Sequence, residues 1–172
     1  MLRYSKLIMA SLLFITTVAV SVAIWSLYFR EPDVVLTPDY APKETEPNAE
    51  EIPGDSDVKL EVEDGGGAIG IEYVPKVTID LSKREAQLSF SNPGKSTQDV
   101  VLQIVVQNIV LVQSGRIEPG NRVQRLSLLD GIEKILSEGG YDGKFVILSY
   151  DPASGEKSMV NTEAHITVDV QK

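Results

Sequence analysis

Residues 77–92 read VTIDLSKREAQLSFSN, and this stretch decides the expected fold. Val77, Ile79 and Leu81 alternate with polar residues in its first half, as Ala86, Leu88 and Phe90 do in its second half. Successive side chains of a strand point to opposite faces, so this pattern predicts two half-buried strands joined by a turn. The fold of the surrounding chain is therefore expected to be built on a sheet.

The same alternation recurs towards the C-terminus, and turn-forming residues separate the repeats. Alternating or continuous apolar runs occupy residues 100–106, 144–150 and 164–170. Turn signals lie at Asn92-Pro93-Gly94, Pro119-Gly120-Asn121, Gly139-Gly140 and Asp151-Pro152-Ala153-Ser154-Gly155. A short helical pattern at residues 132–136 fits a connection between sheets. The sequence predicts a mainly β domain, an antiparallel β-sandwich of about seven or eight strands.

The N-terminal segment predicts a membrane anchor. From Leu7 to Phe29 the chain has 23 residues without a charge, and a helix needs roughly 20 to cross a bilayer. Basic Arg3 and Lys6 precede it, which predicts a cytoplasmic tail of residues 1–6 and a cell-membrane protein whose C-terminal part is extracytoplasmic. The alternative is a signal peptide cleaved after Ala23, where small residues fit signal peptidase.

The next segment, residues 30–57, is expected to be a disordered, extended linker. It contains five prolines and nine acidic residues against Arg30 and Lys43, with few large apolar residues. The predicted domain organisation is therefore residues 1–6, 7–29, 30–57 and 58–172. Because the part outside the membrane is strongly acidic, binding to nucleic acid or to anionic lipid head groups is excluded.

The chain contains no cysteine. This excludes disulfides, thiol catalysis and zinc–thiolate sites, and it removes the attachment residue of a bacterial lipoprotein. A domain outside the cytoplasm that lacks disulfides favours a bacterial source, since small secreted eukaryotic domains more often carry them.

A recurring layout follows from residue 89 onward. It comprises Phe90-Ser91-Asn92-Pro93, a long apolar strand, the stretch of residues 114–120 (SGRIEPG), the corner Gly140-Tyr141, and a closing strand. This layout resembles that of uncharacterised single-span Gram-positive surface proteins with an immunoglobulin- or fibronectin-like domain. The resemblance implies fold and location and no activity. Tyr141, just before a late strand, resembles the tyrosine corner of such sandwiches.

Four patterns suggest chemistry, but a structural interpretation is favoured for each. Gly65, Gly67 and Gly70 match a dinucleotide fingerprint, although an extended stretch follows where a helix would be needed. Ser154 to Lys157 matches S-x-x-K, although it follows a turn and has no K-T-G partner. His165 is the only histidine and is expected at the surface. Loop acids could bind calcium but lack its ligand spacing: Asp130, Asp142, Asp151 and Glu156. No cofactor or metal is therefore expected.

The strongest anomaly is an excess of apolar residues on the expected outer face of neighbouring strands. Such a face would form one apolar patch, and exposed patches mark contacts. The candidate partner-binding residues are Val101, Val105, Val110, Val112, Val146, Leu148 and Tyr150. Two interpretations remain open: contact with a protein partner or a second copy, or coverage by the chain itself, from residues 58–73 or the helix near Ile132.

The functional expectation is a non-enzymatic, membrane-anchored interaction or assembly module of the bacterial cell envelope. The alternatives are an accessory or regulatory subunit of an envelope-processing enzyme, or a polysaccharide-binding module. A deep pocket that brings Asp151, Glu156 and His165 together would favour the enzyme-related alternative. The polysaccharide alternative needs exposed aromatic residues on one face, and the supply is thin.

Overall fold

The computed structural model describes residue 9 and residues 12–21, 38–56, 58–62 and 66–172, and the chain divides into two compact units, Met1–Val34 and Val35–Lys172. In the first unit, residues 12–21 are helical. The hydroxyls of Thr16, Thr17 and Ser21 donate to backbone carbonyls one turn earlier. No helix among the described residues is long and apolar enough to cross a membrane, and the predicted span Leu7–Phe29 lies partly outside them.

The second unit is mainly β, as the alternating pattern predicts. Its strands are β1 (Ala49–Glu51), β2 (Glu72–Tyr73), β3 (Lys76–Asp80), β4 (Glu85–Asn92), β5 (Asp99–Val106), β6 (Ile109–Gln113), β7 (Asn121–Ser127), β8 (Gly139–Tyr150) and β9 (Thr162–Gln171). The expected helical turn is present at Ile132–Ile135, between β7 and β8.

The strands join into one sheet with the order β1-β7-β4-β3-β9-β8-β5-β6, and β2 adds to β4. The pairing of β3 with β9 is parallel, with Val77 opposite Val168, whereas the other pairs are antiparallel. The expectation of a purely antiparallel arrangement is therefore wrong at this junction. It is the point at which the first long strand of the domain meets the last.

The sheet curls around a single main core. Phe90 on β4 packs edge-on against Phe145 on β8 with ring centroids 6.0 Å apart, although β3 and β9 lie between these strands in the sheet. Both rings are fully buried, together with the alternate aliphatic residues Val77 and Ile79 of β3. Burial of these apolar side chains is the main stabilising term of the fold.

Residues 38–56, which we call the docked segment, correct the predicted domain boundary at 57/58. β1 pairs with β7 in antiparallel register, Glu50 lying opposite Arg122, and Thr45 forms a parallel bridge with Arg116. Backbone bonds continue at both ends, from Ala41 N to Gly155 O and from Ile52 N to Gly120 O. The prediction of a disordered linker is wrong for these residues. Its remaining residues, 30–37 and 57, lie outside the described part.

Glu46 is the buried anchor of the docked segment. Its carboxylate accepts hydrogen bonds from Gly115 N at 2.8 Å and from the backbone and side-chain nitrogens of Asn48. The docked segment lies so close to Gly115 that a Cβ at this residue would be only 2.9 Å from Glu46 N, so a larger residue would not fit. A segment held by backbone bonds and one carboxylate does not need the apolar residues whose scarcity suggested disorder.

Candidate interaction site

The predicted partner patch is buried within the domain. Val101, Leu148 and Tyr150 have no exposed surface, and Val105 and Val146 are only 8% exposed. They form a second apolar cluster on the face of β5 and β8 opposite the main core, with Val110 half-buried beside them. The strands are apolar on both faces because both faces are covered. In this structure the chain covers its own patch.

Val112 belongs to the main core instead of the second cluster. The pairing of β5 with β6 shifts between Ile104 and Val105, so that β6 has one additional residue, Leu111, at this point. Such a bulge changes which face the later side chains occupy, and simple alternation from Val110 to Val112 therefore fails.

The docked segment contributes to the cover of the second cluster. Ala41 packs against this cluster, and the Tyr150 hydroxyl donates to the Pro38 carbonyl at 3.1 Å. Burial raises the pKa of Tyr150, and the nearby Asp39 carboxylate adds to this effect. The sequence suggested residues 58–73 or the helix near Ile132 as the cover, whereas contacts from residues 38–41 are the ones observed.

Tyr141 lies at the corner before the long part of β8. Its hydroxyl donates to the Ser137 carbonyl, four residues upstream, at 2.9 Å, and its half-buried ring packs on the main core. This bond ties the connection after the helix Ile132–Ile135 to the start of β8.

The turn between β4 and β5, residues 93–98, organises one end of the domain. Asn92 is fully buried and its side-chain nitrogen donates to the carbonyls of Gln98 and Ile117, both at 3.0 Å. Lys59 donates to the carbonyls of Gly94 and Ser96. The turn therefore joins the segment before β7 to the extended residues that follow the docked segment.

A polar cleft of about 450 Å³ opens beside this turn. Its most buried group is Asp99, whose carboxylate lies 3.3 Å from Arg116 Nε, while Arg116 Nη2 bonds to Glu118 at 2.9 Å. Burial raises the pKa of Asp99, and the attraction of Arg116 offsets this only in part. The ion pair of Asp99 with Arg116 and the neighbouring acidic residues account for the charged groups of this cleft, so we interpret the cleft as a structural feature.

A larger groove, which we call the end groove, lies on the other side of the turn and has a volume of about 780 Å³. It is lined by Gly66, Gly67, Ile69, Gln98, Ser149, Asp151, Ser154, Glu156, Lys157, Ser158, Met159, Val160 and Thr162. Ser154 and Lys157 belong to the loop between β8 and β9, where Asp151 accepts bonds from the backbone nitrogens of Ala153 and Ser154. The S-x-x-K match is therefore a turn and not the start of a helix.

The described part of the glycine-rich motif forms the opposite wall of the end groove in extended conformation. Gly70 N donates to Ser96 Oγ, and no helix starts here. Gly65 lies outside the described residues. A dinucleotide site needs a helix N-terminus at this point, and the observed extended chain does not provide one.

Exposed aliphatic side chains lie near this end of the domain, and the sequence did not predict them as contact residues. Val58 is 78% and Val160 73% exposed, and Met159 is fully exposed. Both segments contact the same turn, since Leu60 N donates to Lys95 O and Ser158 Oγ to Gln98 Oε1. The alternating sequence VKLEV at residues 58–62 was the available signal for these side chains. Its charged positions, represented by Lys59, face the protein, whereas its apolar positions do not.

The remaining candidate residues do not converge. His165 lines a small cleft with Asp142 and Lys144, whereas Asp151 and Glu156 line the end groove and Asp130 pairs with Arg84 on the surface. Within the described ranges, no group of three or more acidic or histidine side chains is arranged to hold a metal ion. The convergence of Asp151, Glu156 and His165 that the enzyme-related alternative requires is therefore not found.

No protein-family model and no curated protein sequence matches the chain.

Proposed function

We propose that this chain is a membrane-anchored, extracytoplasmic interaction module of the bacterial cell envelope that presents the end groove to a protein partner. One observation carries the proposal: the exposed aliphatic side chains of Met159 and Val160 line a groove on an otherwise acidic domain. Contiguous exposed apolar groups usually mark a contact surface. The proposed contact lies at one end of the domain, because the outer face of β5 and β8 is covered by the chain itself.

The domain is, in this proposal, immunoglobulin-like. The strand order supports it, since β3, β4 and β7 take the places of strands A, B and E, and β5, β8 and β9 those of C, F and G. The hydrogen bond of Tyr141, at the start of β8, to the carbonyl of Ser137 also agrees. β1 takes the place of strand D, and it comes from the docked segment instead of from the connection after β6.

The anchor, in this proposal, is a helix over Leu7–Phe29 with the N-terminus in the cytoplasm. The uncharged length and the basic residues before it support this orientation. Cleavage after Ala23 is the alternative outcome, and the mass of the chain recovered from cell membranes separates the two.

The partner contact is tested by treating membranes of the producing cell with an amine-reactive crosslinker before extraction. The wild-type chain is expected to give an adduct of one discrete mass. Met159→Glu and Val160→Glu are expected to suppress this adduct, because a charge in the groove wall opposes apolar contact. Ile135→Glu is the matched control, since Ile135 is also an exposed aliphatic residue but lies near the start of β8. An adduct that survives both groove substitutions would refute the proposed contact surface.

A further inference from the structure

The extended segment of residues 66–70 uses only one of its two backbone edges. Ala68 N donates to Thr97 Oγ1 at 2.9 Å, and Ala68 O accepts from Thr97 N at 2.8 Å. Gly70 exchanges similar bonds with the Ser96 hydroxyl, at 2.8 and 3.2 Å. Alternate residues, 68 and 70, are thus paired with the turn that follows β4.

The other edge is open towards the end groove. In an extended chain, neighbouring residues direct their N–H and C=O groups to opposite sides, so Gly67 and Ile69 direct theirs away from the turn. Among the described residues, no hydrogen bond reaches the backbone of either one, and both line the end groove. Unpaired groups on a strand edge are the template onto which another strand adds.

Gly66 and Gly67 are exposed at the groove and contribute no side chain. The Gln98 side chain packs against Gly67, where a Cβ would lie 1.9 Å from Gln98 Nε2. The Gln98 side chain is itself held in place by Ser158 at 2.9 Å. The exposed side chains of Met159 and Val160 line the groove together with Ile69. The groove therefore combines free backbone groups with an apolar wall.

The charged side chains that line the groove favour one class of bound molecule over another. Asp151, Glu156 and Lys157 line it, so acidic side chains outnumber basic ones, and hydrogen bonds from Ser154 and Ala153 hold the pKa of Asp151 below its usual value. The whole chain has a net charge of −9, so a second copy would bring further negative charge to this wall. A basic side chain complements the wall instead.

We propose that the end groove binds an extended peptide by strand addition along Gly67 and Ile69, with an apolar side chain against Met159 and Val160 and a basic one towards Asp151 and Glu156. This inference rests on the proposed function and names its partner class, an extended basic segment of another protein. In strand addition, main-chain hydrogen bonds supply affinity and alternate side chains supply specificity.

The test is a selection of random short peptides on the full-length chain in detergent micelles, followed by methylation of single backbone nitrogens in the enriched peptides. Methylation at alternate positions is expected to weaken binding by about tenfold, because it removes a donor to Gly67 or Ile69, whereas methylation at intervening positions has little effect. Enriched peptides are expected to contain Lys or Arg, and Asp151→Asn with Glu156→Gln is expected to remove that preference.

Ile69→Pro supplies the matched variant of the protein. It removes one edge donor that makes no hydrogen bond within the described residues, but it also removes a half-buried side chain that packs on the main core. Ile69→Ala loses the same packing and keeps the donor, so binding is expected to be lost in Ile69→Pro and retained in Ile69→Ala. Three outcomes overturn the inference: no enrichment over a selection on Ile69→Pro, equal sensitivity at all methylated positions, or self-association of the chain that Ile69→Pro abolishes. Should peptide binding fail while the crosslinked adduct persists, strand addition is wrong and the interaction module stands.

Discussion

Asn92 shows how one side chain joins segments far apart in the sequence. Its side-chain nitrogen donates to the carbonyls of Gln98 and Ile117, and neither Asn92 nor Ile117 has any exposed surface. Asn92→Asp preserves the shape but replaces the donor with an acceptor, and it places a carboxylate against two carbonyl oxygens. We expect the free energy of unfolding to fall by about 2 kcal/mol or more, measured by urea denaturation.

The control for that substitution is Asn161→Asp, an exposed change between Val160 and β9. Its effect is expected to stay within about 0.5 kcal/mol. Equal effects at the two positions would contradict the role given to Asn92.

Asp99 gives a prediction of pH dependence. Burial raises its pKa in the folded state above the unfolded value of 3.8. The folded state then binds the proton more tightly, so the contribution to stability is present below this value and is lost as the pH rises through the raised pKa. The unfolding free energy of wild type minus that of Asp99→Asn is expected to fall with rising pH in this window. A difference that rises with pH would mean that attraction by Arg116 outweighs burial.

At the scale of single residues, the sequence predicted which alternating apolar residues are buried but not which polar residues are buried. The period of two places Val77, Ile79 and Phe90 in the core correctly. It does not reveal that Asn92 and Glu46 are buried, because each has one hydrogen-bond partner, Ile117 or Gly115, that lies 25 or more residues away. A polar residue near a turn is expected to be exposed unless the distant residue that forms a hydrogen bond with it is known.

β1 is the element that carries the largest correction. Because Ile52 N bonds to Gly120 O and the pair register continues, Glu50 bonds to β7 whereas the N–H of Glu51 faces away. Glu50→Pro is therefore expected to lower the unfolding free energy by about 1 kcal/mol or more, through loss of a ladder bond. Glu51→Pro, with no such bond, is expected to be milder.

Amide hydrogen exchange gives the second measurement on β1. The amides of Ala41, Glu46 and Ile52 are expected to be protected in the wild-type chain, and those of Glu46 and Ile52 less so in Glu50→Pro. Exchange at the rate of an unfolded peptide throughout residues 38–56 would restore the predicted linker and contradict the docked segment.

β3, β4 and β9 were predictable because their alternation records burial on one face, and β5 and β8 because they are long apolar runs. β1 was not, because a strand held on one edge by backbone bonds needs no alternation, and its prolines and acids are typical of linkers. The pairing partner of such a strand is a property of the assembled sheet, where β7 offers a free edge.

At the scale of the whole molecule, apolar surface is divided between the buried faces and the exposed end. Leu148 has no exposed surface and belongs to the second cluster, so Leu148→Ala is expected to lower the unfolding free energy by about 2–5 kcal/mol. Val160→Ala is expected to change it by less than about 0.5 kcal/mol, because the side chain is largely exposed. Urea denaturation of both variants provides the measurement, and a small effect at Leu148 would contradict the cover.

The excess of apolar residues in β5 and β8 was visible in the sequence, but its cause was not. An apolar outer face indicates equally a bound partner and a segment of the same chain, and only the folded arrangement assigns the cover. The end groove was beyond prediction for a similar reason, since residues 66–69 and 149–162 meet only in the folded domain.

The most direct measurement is photo-crosslinking in membranes of the producing cell, with a photoreactive residue placed in turn at positions 160, 148 and 135 of the full-length chain. The account predicts an intermolecular adduct from position 160 at the groove and none from position 135 at the distant helix. Position 148, inside the domain, is expected to react within the chain. An intermolecular adduct from position 148, with none from position 160, would contradict the account, because the strand face would then be the contact surface.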